Sequence, residues 1–83
     1  MELSDYRAQI DQIDRQLVAL FAQRMNTAAG IAAYKKEHGL PVLDPVRERE
    51  KLLDVAAQAP EDMRDYTASL YTMLFELSRC YQG

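Results

Sequence analysis

Between Ser4 and about Glu37 the apolar residues Tyr6, Ile10, Ile13, Leu17, Leu20, Phe21, Ala28 and Ile31 recur at helical spacing, broken by no proline and only one glycine, Gly30. This pattern predicts one long helix. Ser4 is placed to cap its start, Asp5 sits at the favourable end of the helix dipole, and His38-Gly39-Leu40-Pro41 carries the Gly-then-Pro order that stops helices. A second helix is expected from Pro45 to about Gln58 on Val46, Leu52, Leu53, Val55 and Ala56, ended by Ala59-Pro60. Asp44 is a good N-cap for it, and Pro45 suits the first helical position, where a missing N–H costs nothing. A third helix is expected from near Glu61, with Met63, Tyr66, Leu70, Met73, Leu74 and Leu77 as its inward face and Glu61 and Asp62 favouring its N-terminus. Strand-like alternation, repeats and low-complexity stretches are absent from the sequence, so the fold class is all-α with three helices, one very long.

That length has a consequence. A helix of about 34 residues is roughly 50 Å long, whereas a compact domain of this size is only about 30 Å across. Two shorter helices cannot cover the whole apolar stripe, and the simplest cover is the same helix of a second copy. The expectation is an intertwined homodimeric helical bundle. With 83 residues, 48% of them apolar, each chain has material for a single domain spanning 1–83.

Composition narrows the partners. A net charge of −3, with ten Lys and Arg scattered among thirteen acids, lacks the basic surplus of a nucleic-acid binder. Any anion bound should be small and held locally. No apolar run approaches the roughly 18 residues of a membrane span, since Leu17 to Ala22 is interrupted at Gln23 and Arg24. Cys80 is the single cysteine, and Met1-Glu2-Leu3-Ser4-Asp5 has neither the basic nor the apolar region of a secretory signal, which favours a cytoplasmic protein.

Several polar residues fall where the helical pattern would place apolar ones. Asp44, Arg47 and Glu48 share one side of the second helix's first turn; caps and solvated charge pairs explain many such runs. Arg24 extends the Leu17, Leu20 and Phe21 face, where an unpaired charge is costly. Lys35 lies eleven residues further, about three turns and roughly 16 Å away on the same side, so the two are spaced to grip a small dianion. A structural salt bridge or a snorkelling side chain is the plainer reading of Arg24, and dipole complementation that of Lys35. Arg7 precedes Arg24 by seventeen residues, about 25 Å along the rod, so it can serve the same ligand only from a partner chain paired antiparallel; otherwise it is a solvated first-turn arginine. On the third helix, Ser78 and Gln82 continue the register of Tyr71 and Leu74 with a hydroxyl and an amide, either as fraying near the C-terminus or as the wall of a polar pocket in a bundle.

Together, Arg7, Asp11, Ile13-Asp14, Leu17, Leu20, Arg24, Lys35, Asp44-x-x-Arg47-Glu48 and Ser78-x-x-x-Gln82 resemble the all-helical chorismate mutase family over essentially the whole chain, with no departure at a site position. The resemblance implies a dimer of three-helix chains with an arginine contributed across the interface. It also implies rearrangement of chorismate to prephenate, the committed step toward phenylalanine and tyrosine, without metal or cofactor. By the same resemblance Arg24 and the partner-derived Arg7 clamp carboxylates, assisted by Ser78, while Lys35 and Gln82 donate to the ether oxygen. Glu48 accepts from the substrate hydroxyl, and Asp44 and Arg47 shape the pocket. A neutral amide at Gln82 needs no protonation to donate, which implies activity near neutral pH. Two alternatives remain at this level: an isochorismate pyruvate lyase of the same fold, against which Glu48 argues, and a noncatalytic dimerisation or regulatory module. The chain also reads equally as a free-standing enzyme or as a module of a longer polypeptide.

Overall fold

Three α-helices form where the apolar spacing places them. The computed structural model describes residues 1–82, and within them the order is α1 (Leu3–Glu37), α2 (Pro45–Gln58), a 3-10 turn at Glu61–Met63 and α3 (Arg64–Gln82), with no strand among the described residues.

The ends of these helices are set by local chemistry. At the start of α1 the cap is Glu2 rather than Ser4: Asp5 reaches back to accept the Glu2 backbone N–H at 2.9 Å, which draws Leu3 and Ser4 into the first turn. At its end, Gly39 adopts a φ of +67°, its N–H bonds to the Lys36 carbonyl, and the Leu40 N–H bonds to the Lys35 carbonyl. Two otherwise orphaned carbonyls are thereby satisfied in a turn that only glycine enters without strain. Asp44 caps α2 as expected, with its Oδ1 accepting the Arg47 N–H at 3.0 Å and Pro45 in the first turn. The third helical segment opens at Glu61 as 3-10 and becomes α-helical only at Arg64, because the Met63 N–H bonds back to the Pro60 carbonyl.

The core is small and lies at one end of the molecule. Ala32 of α1, Val55 of α2 and Ser78 of α3 are buried where the three helices meet, with Leu52, Tyr71, Leu74 and Phe75 half-buried around them. Residues 1–23 are all exposed, so the N-terminal half of α1 extends beyond the bundle and gives the chain dimensions of 55 × 25 × 16 Å. The apolar face expected to turn inward on α3 is corrected by the structure. Leu74 is half-buried, but Met63, Tyr66, Leu70, Met73 and Leu77 are exposed, Tyr66 by 77%. The covered face is instead Thr67, Ala68, Tyr71, Leu74, Phe75, Ser78 and Gln82. α3 carries two apolar stripes, and periodicity alone does not say which one meets its own chain. On α2, Val55, Leu52 and Ala56 turn inward while Val46 and Leu53 remain exposed. Among the described residues no helix is long and apolar enough to cross a membrane.

Candidate functional site

The end of the molecule that holds the core also holds a cleft of about 480 Å³, walled by the C-terminal half of α1, the segment leading into α2, the first turn of α2 and the last turns of α3. The caps described above aim its walls. The turn at Gly39 folds the chain back so that Val42 and Leu43 form an apolar floor, and the Asp44 cap presents the first turn of α2 to the cleft.

Seven of the eight residues expected from the sequence line this cleft: Arg24, Lys35, Asp44, Arg47, Glu48, Ser78 and Gln82. Arg7 does not, since it lies on the exposed N-terminal half of α1. Lys36 and Arg79 complete the charged lining. The cleft thus gathers five cationic side chains and two acidic ones in a chain whose net charge is −3. Among the described residues the ion pairs are Arg79 with Glu48 and Lys51 with Asp54, so Arg24, Lys35, Lys36 and Arg47 have no carboxylate within 4.0 Å. Such a concentration of positive side chains gives the cleft a local field that attracts anions.

Arg24 is half-buried with its guanidinium carbon 5.4 Å from the centre of the Tyr71 ring and 5.6 Å from that of Phe75. Those ring faces offset part of the cost of its burial and leave its donors free to point into the cleft. One donor lies 3.4 Å from the Ser78 hydroxyl oxygen. Among the described residues no acid pairs with Arg24, and the aromatic faces of Tyr71 and Phe75 stand beside it instead. Ser78, buried between α3 and α1, donates in turn toward the Met25 sulfur at 3.6 Å.

The end of α3 is tied down. The Gln82 amide donates to the Ala28 carbonyl at 3.3 Å, and the Tyr81 hydroxyl donates to the Asn26 side chain at 3.0 Å. Gln82 is therefore a helical wall residue here rather than a frayed end. Lys35 is half-buried, three turns from Arg24 along α1 and on the same wall. Among the described residues no three His, Cys, Asp or Glu side chains converge as a metal site, and the polar lining is dominated by nitrogen donors.

Sequence reasoning missed Arg79. Its Nη1 donates to both carboxylate oxygens of Glu48, at 2.9 and 2.7 Å, and links α3 to α2 across the cleft. A signal existed, since Arg79 stands four residues after Phe75 and three before Gln82, both cleft residues, and so shares their side of the helix.

The sequence pattern of the family described as chorismate mutase type II matches residues 6–83. Among curated proteins, the chain is 44% identical over 46 residues to a T-protein of Haemophilus influenzae, a match covering 55% of this chain and 12% of that protein. It is 38% identical over 48 residues to a chorismate mutase of Methanocaldococcus jannaschii, covering 58% of this chain and 48% of that one. It is 39% identical over 51 residues to a T-protein of Enterobacter agglomerans, covering 61% and 14%. The matched part is thus about half of the archaeal relative and a small fraction of either T-protein. No solved structure matches the chain at a significant level.

Proposed function

Because the chain belongs to the chorismate mutase type II family, we propose that it converts chorismate to prephenate, toward phenylalanine and tyrosine, in a pocket completed by a second copy of the chain. The observation that carries this reading is the cleft with four cations that have no carboxylate partner among the described residues, in an otherwise acidic chain. The substrate is a flexible dianion, and the reaction is an intramolecular shift that needs no nucleophile or redox group.

The work of such an enzyme is conformational and electrostatic. It must hold the two reacting ends of the molecule together and stabilise the negative charge that grows on the ether oxygen as the C–O bond breaks. Arg24, steadied by Tyr71 and Phe75, supplies a forked donor for one carboxylate, with Ser78 beside it. Lys35 and Gln82 donate to the ether oxygen; their bonds strengthen as charge develops and so lower the barrier rather than merely tighten binding. One N–H of the Gln82 amide is held by the Ala28 carbonyl, which leaves its second N–H to donate. Glu48 accepts from the substrate hydroxyl, and Asp44 and Arg47 hold the first turn of α2 and its charges in register. A rate gain of about a millionfold requires roughly 8 kcal/mol, more than one charge-assisted hydrogen bond supplies, so these donors act together.

Surface area supports the second copy. A compact monomer of this mass exposes about 5,000 Å², whereas this chain exposes 6795 Å². Its radius of gyration is 15.8 Å, against about 12 Å for a compact chain of this length. The excess of about 1,800 Å² per chain is of the size buried in obligate dimers. It includes the exposed apolar stripe of Ile10, Ile13, Leu17 and Leu20, together with the outward stripe of α3. An antiparallel pairing of the long helices brings the partner's Arg7 to the cleft and removes both stripes from water. The T-protein relatives are far longer than this chain, and the reading concerns the mutase reaction alone.

The deciding experiment is conversion of chorismate by the purified protein, with prephenate identified by NMR and salicylate sought in parallel as the mark of a lyase. Lys35→Ala is expected to lower turnover by orders of magnitude while helicity is retained. Unaltered turnover in Lys35→Ala refutes the assignment of the site.

A further inference from the structure

The ion pair between Glu48 and Arg79 in the cleft is also a tie between two of its walls: Glu48 stands on the first turn of α2, and Arg79 on the last turns of α3. We infer that Arg79 is a positioning residue, which holds the Glu48 carboxylate so that Glu48 can receive a hydroxyl of the bound dianion. The inference rests on the reading of the cleft as a chorismate site and extends it to a residue that does not itself touch the substrate.

The shape of the contact orients the carboxylate. A single nitrogen, Nη1, lies within hydrogen-bond distance of both carboxylate oxygens, at 2.9 and 2.7 Å. A donor chelated in this way uses the lone pairs that face each other across the carboxylate and leaves the outer lone pair of each oxygen for another donor. Glu48 is thus oriented without being saturated.

Arg24 and Arg47 line the same cleft and have no carboxylate partner among the described residues. A glutamate that swung freely on its three rotatable bonds would be drawn to them, neutralising Arg24, which is needed for a substrate carboxylate, and pulling Arg47 out of register. Gripped from the α3 side by Arg79, Glu48 is kept from that collapse, and the ordering of its side chain is complete before the ligand arrives.

The pair also has little to do for stability. The two side chains are 42% and 34% exposed, and ion pairs of that kind contribute little to folding. α2 and α3 are already joined through Val55, Leu74 and Phe75 around the core.

Steady-state kinetics on chorismate with Arg79→Gln, Arg79→Lys, Glu48→Gln and the Arg79→Gln/Glu48→Gln double variant test this. A hydroxyl held equally in substrate and transition state affects binding, so Arg79→Gln is expected to raise KM about tenfold with a much smaller change in kcat. The double variant should be no worse than Glu48→Gln alone, because Arg79 acts only through Glu48. Arg79→Lys should recover most of the loss, since one nitrogen makes both bonds. Melting temperatures should stay within a few degrees of wild type throughout. A wild-type KM in Arg79→Gln, or losses that multiply in the double variant, would overturn the inference. So would a loss of activity that merely follows a fall in melting temperature. Wild-type protein that turns over no chorismate would refute the proposed reaction instead. The pairing is then judged by calorimetric titration with prephenate, which must bind more weakly to Arg79→Gln and Glu48→Gln by the same factor; equal titrations in all three proteins would overturn it.

Discussion

Mixing two inactive variants tests whether the pocket is shared between chains. Arg7 and Arg24 lie on one unbroken helix, seventeen residues and about 25 Å apart, so one copy cannot close both around the same small dianion. Arg7→Ala and Lys35→Ala should each be severely impaired, Arg7→Ala by roughly 10- to 150-fold in kcat/KM for the loss of a charge-assisted hydrogen bond worth about 1.5 to 3 kcal/mol. When the two are unfolded together and refolded at equal concentrations, random pairing makes half of the dimers mixed. In each mixed dimer one pocket joins an intact Lys35 to an intact Arg7 from the other chain, and the second pocket lacks both. Half of the dimers with one of two pockets restored gives about a quarter of the wild-type specific activity. The assay is the initial rate of chorismate loss before and after mixing. Activity that stays at the level of the separate variants would mean that Arg7 does not act across an interface, and full activity in Arg7→Ala alone would mean that it does not serve the site.

Two further outcomes follow from the fold. Leu17 is 57% exposed in a single chain, where Leu17→Ala would change stability by less than about 0.5 kcal/mol. If a second copy buries it, the loss is about 2 to 5 kcal/mol, with a melting temperature that depends on protein concentration. Sedimentation and denaturation at two concentrations distinguish these, and a fully stable, concentration-independent Leu17→Ala would refute the dimer. Gly39→Ala should cost about 1 to 2 kcal/mol in urea unfolding, since a Cβ there meets nothing within 4 Å and the whole penalty comes from the φ of +67°. An unchanged unfolding midpoint would contradict that account.

The features legible in the sequence are those decided within a turn or two of the chain. Asp44 and Pro45 announce the start of α2, Gly39 and Pro41 the end of α1, and the spacing from Tyr6 to Ile31 the long helix between, because capping and periodicity act over three or four residues. The same periodicity put Arg24, Lys35, Ser78 and Gln82 on faces that do meet in one cleft. The misplaced cap at Ser4 shows the limit of even local rules when two acids, Glu2 and Asp5, compete for the same end.

Packing decided the rest. A helix such as α3 with two apolar stripes does not declare which one its own chain will cover, and only the arrangement of α1 and α2 turned Tyr71, Leu74 and Phe75 inward while leaving Met63, Tyr66 and Leu70 outside the core of the single chain. The rings beside Arg24 and the grip of Arg79 on Glu48 join residues 47, 51 and 31 positions apart, distances over which sequence spacing carries no geometric information. The order of helices and the charges they carry were written in the chain; which charges face one another was settled when the helices came together.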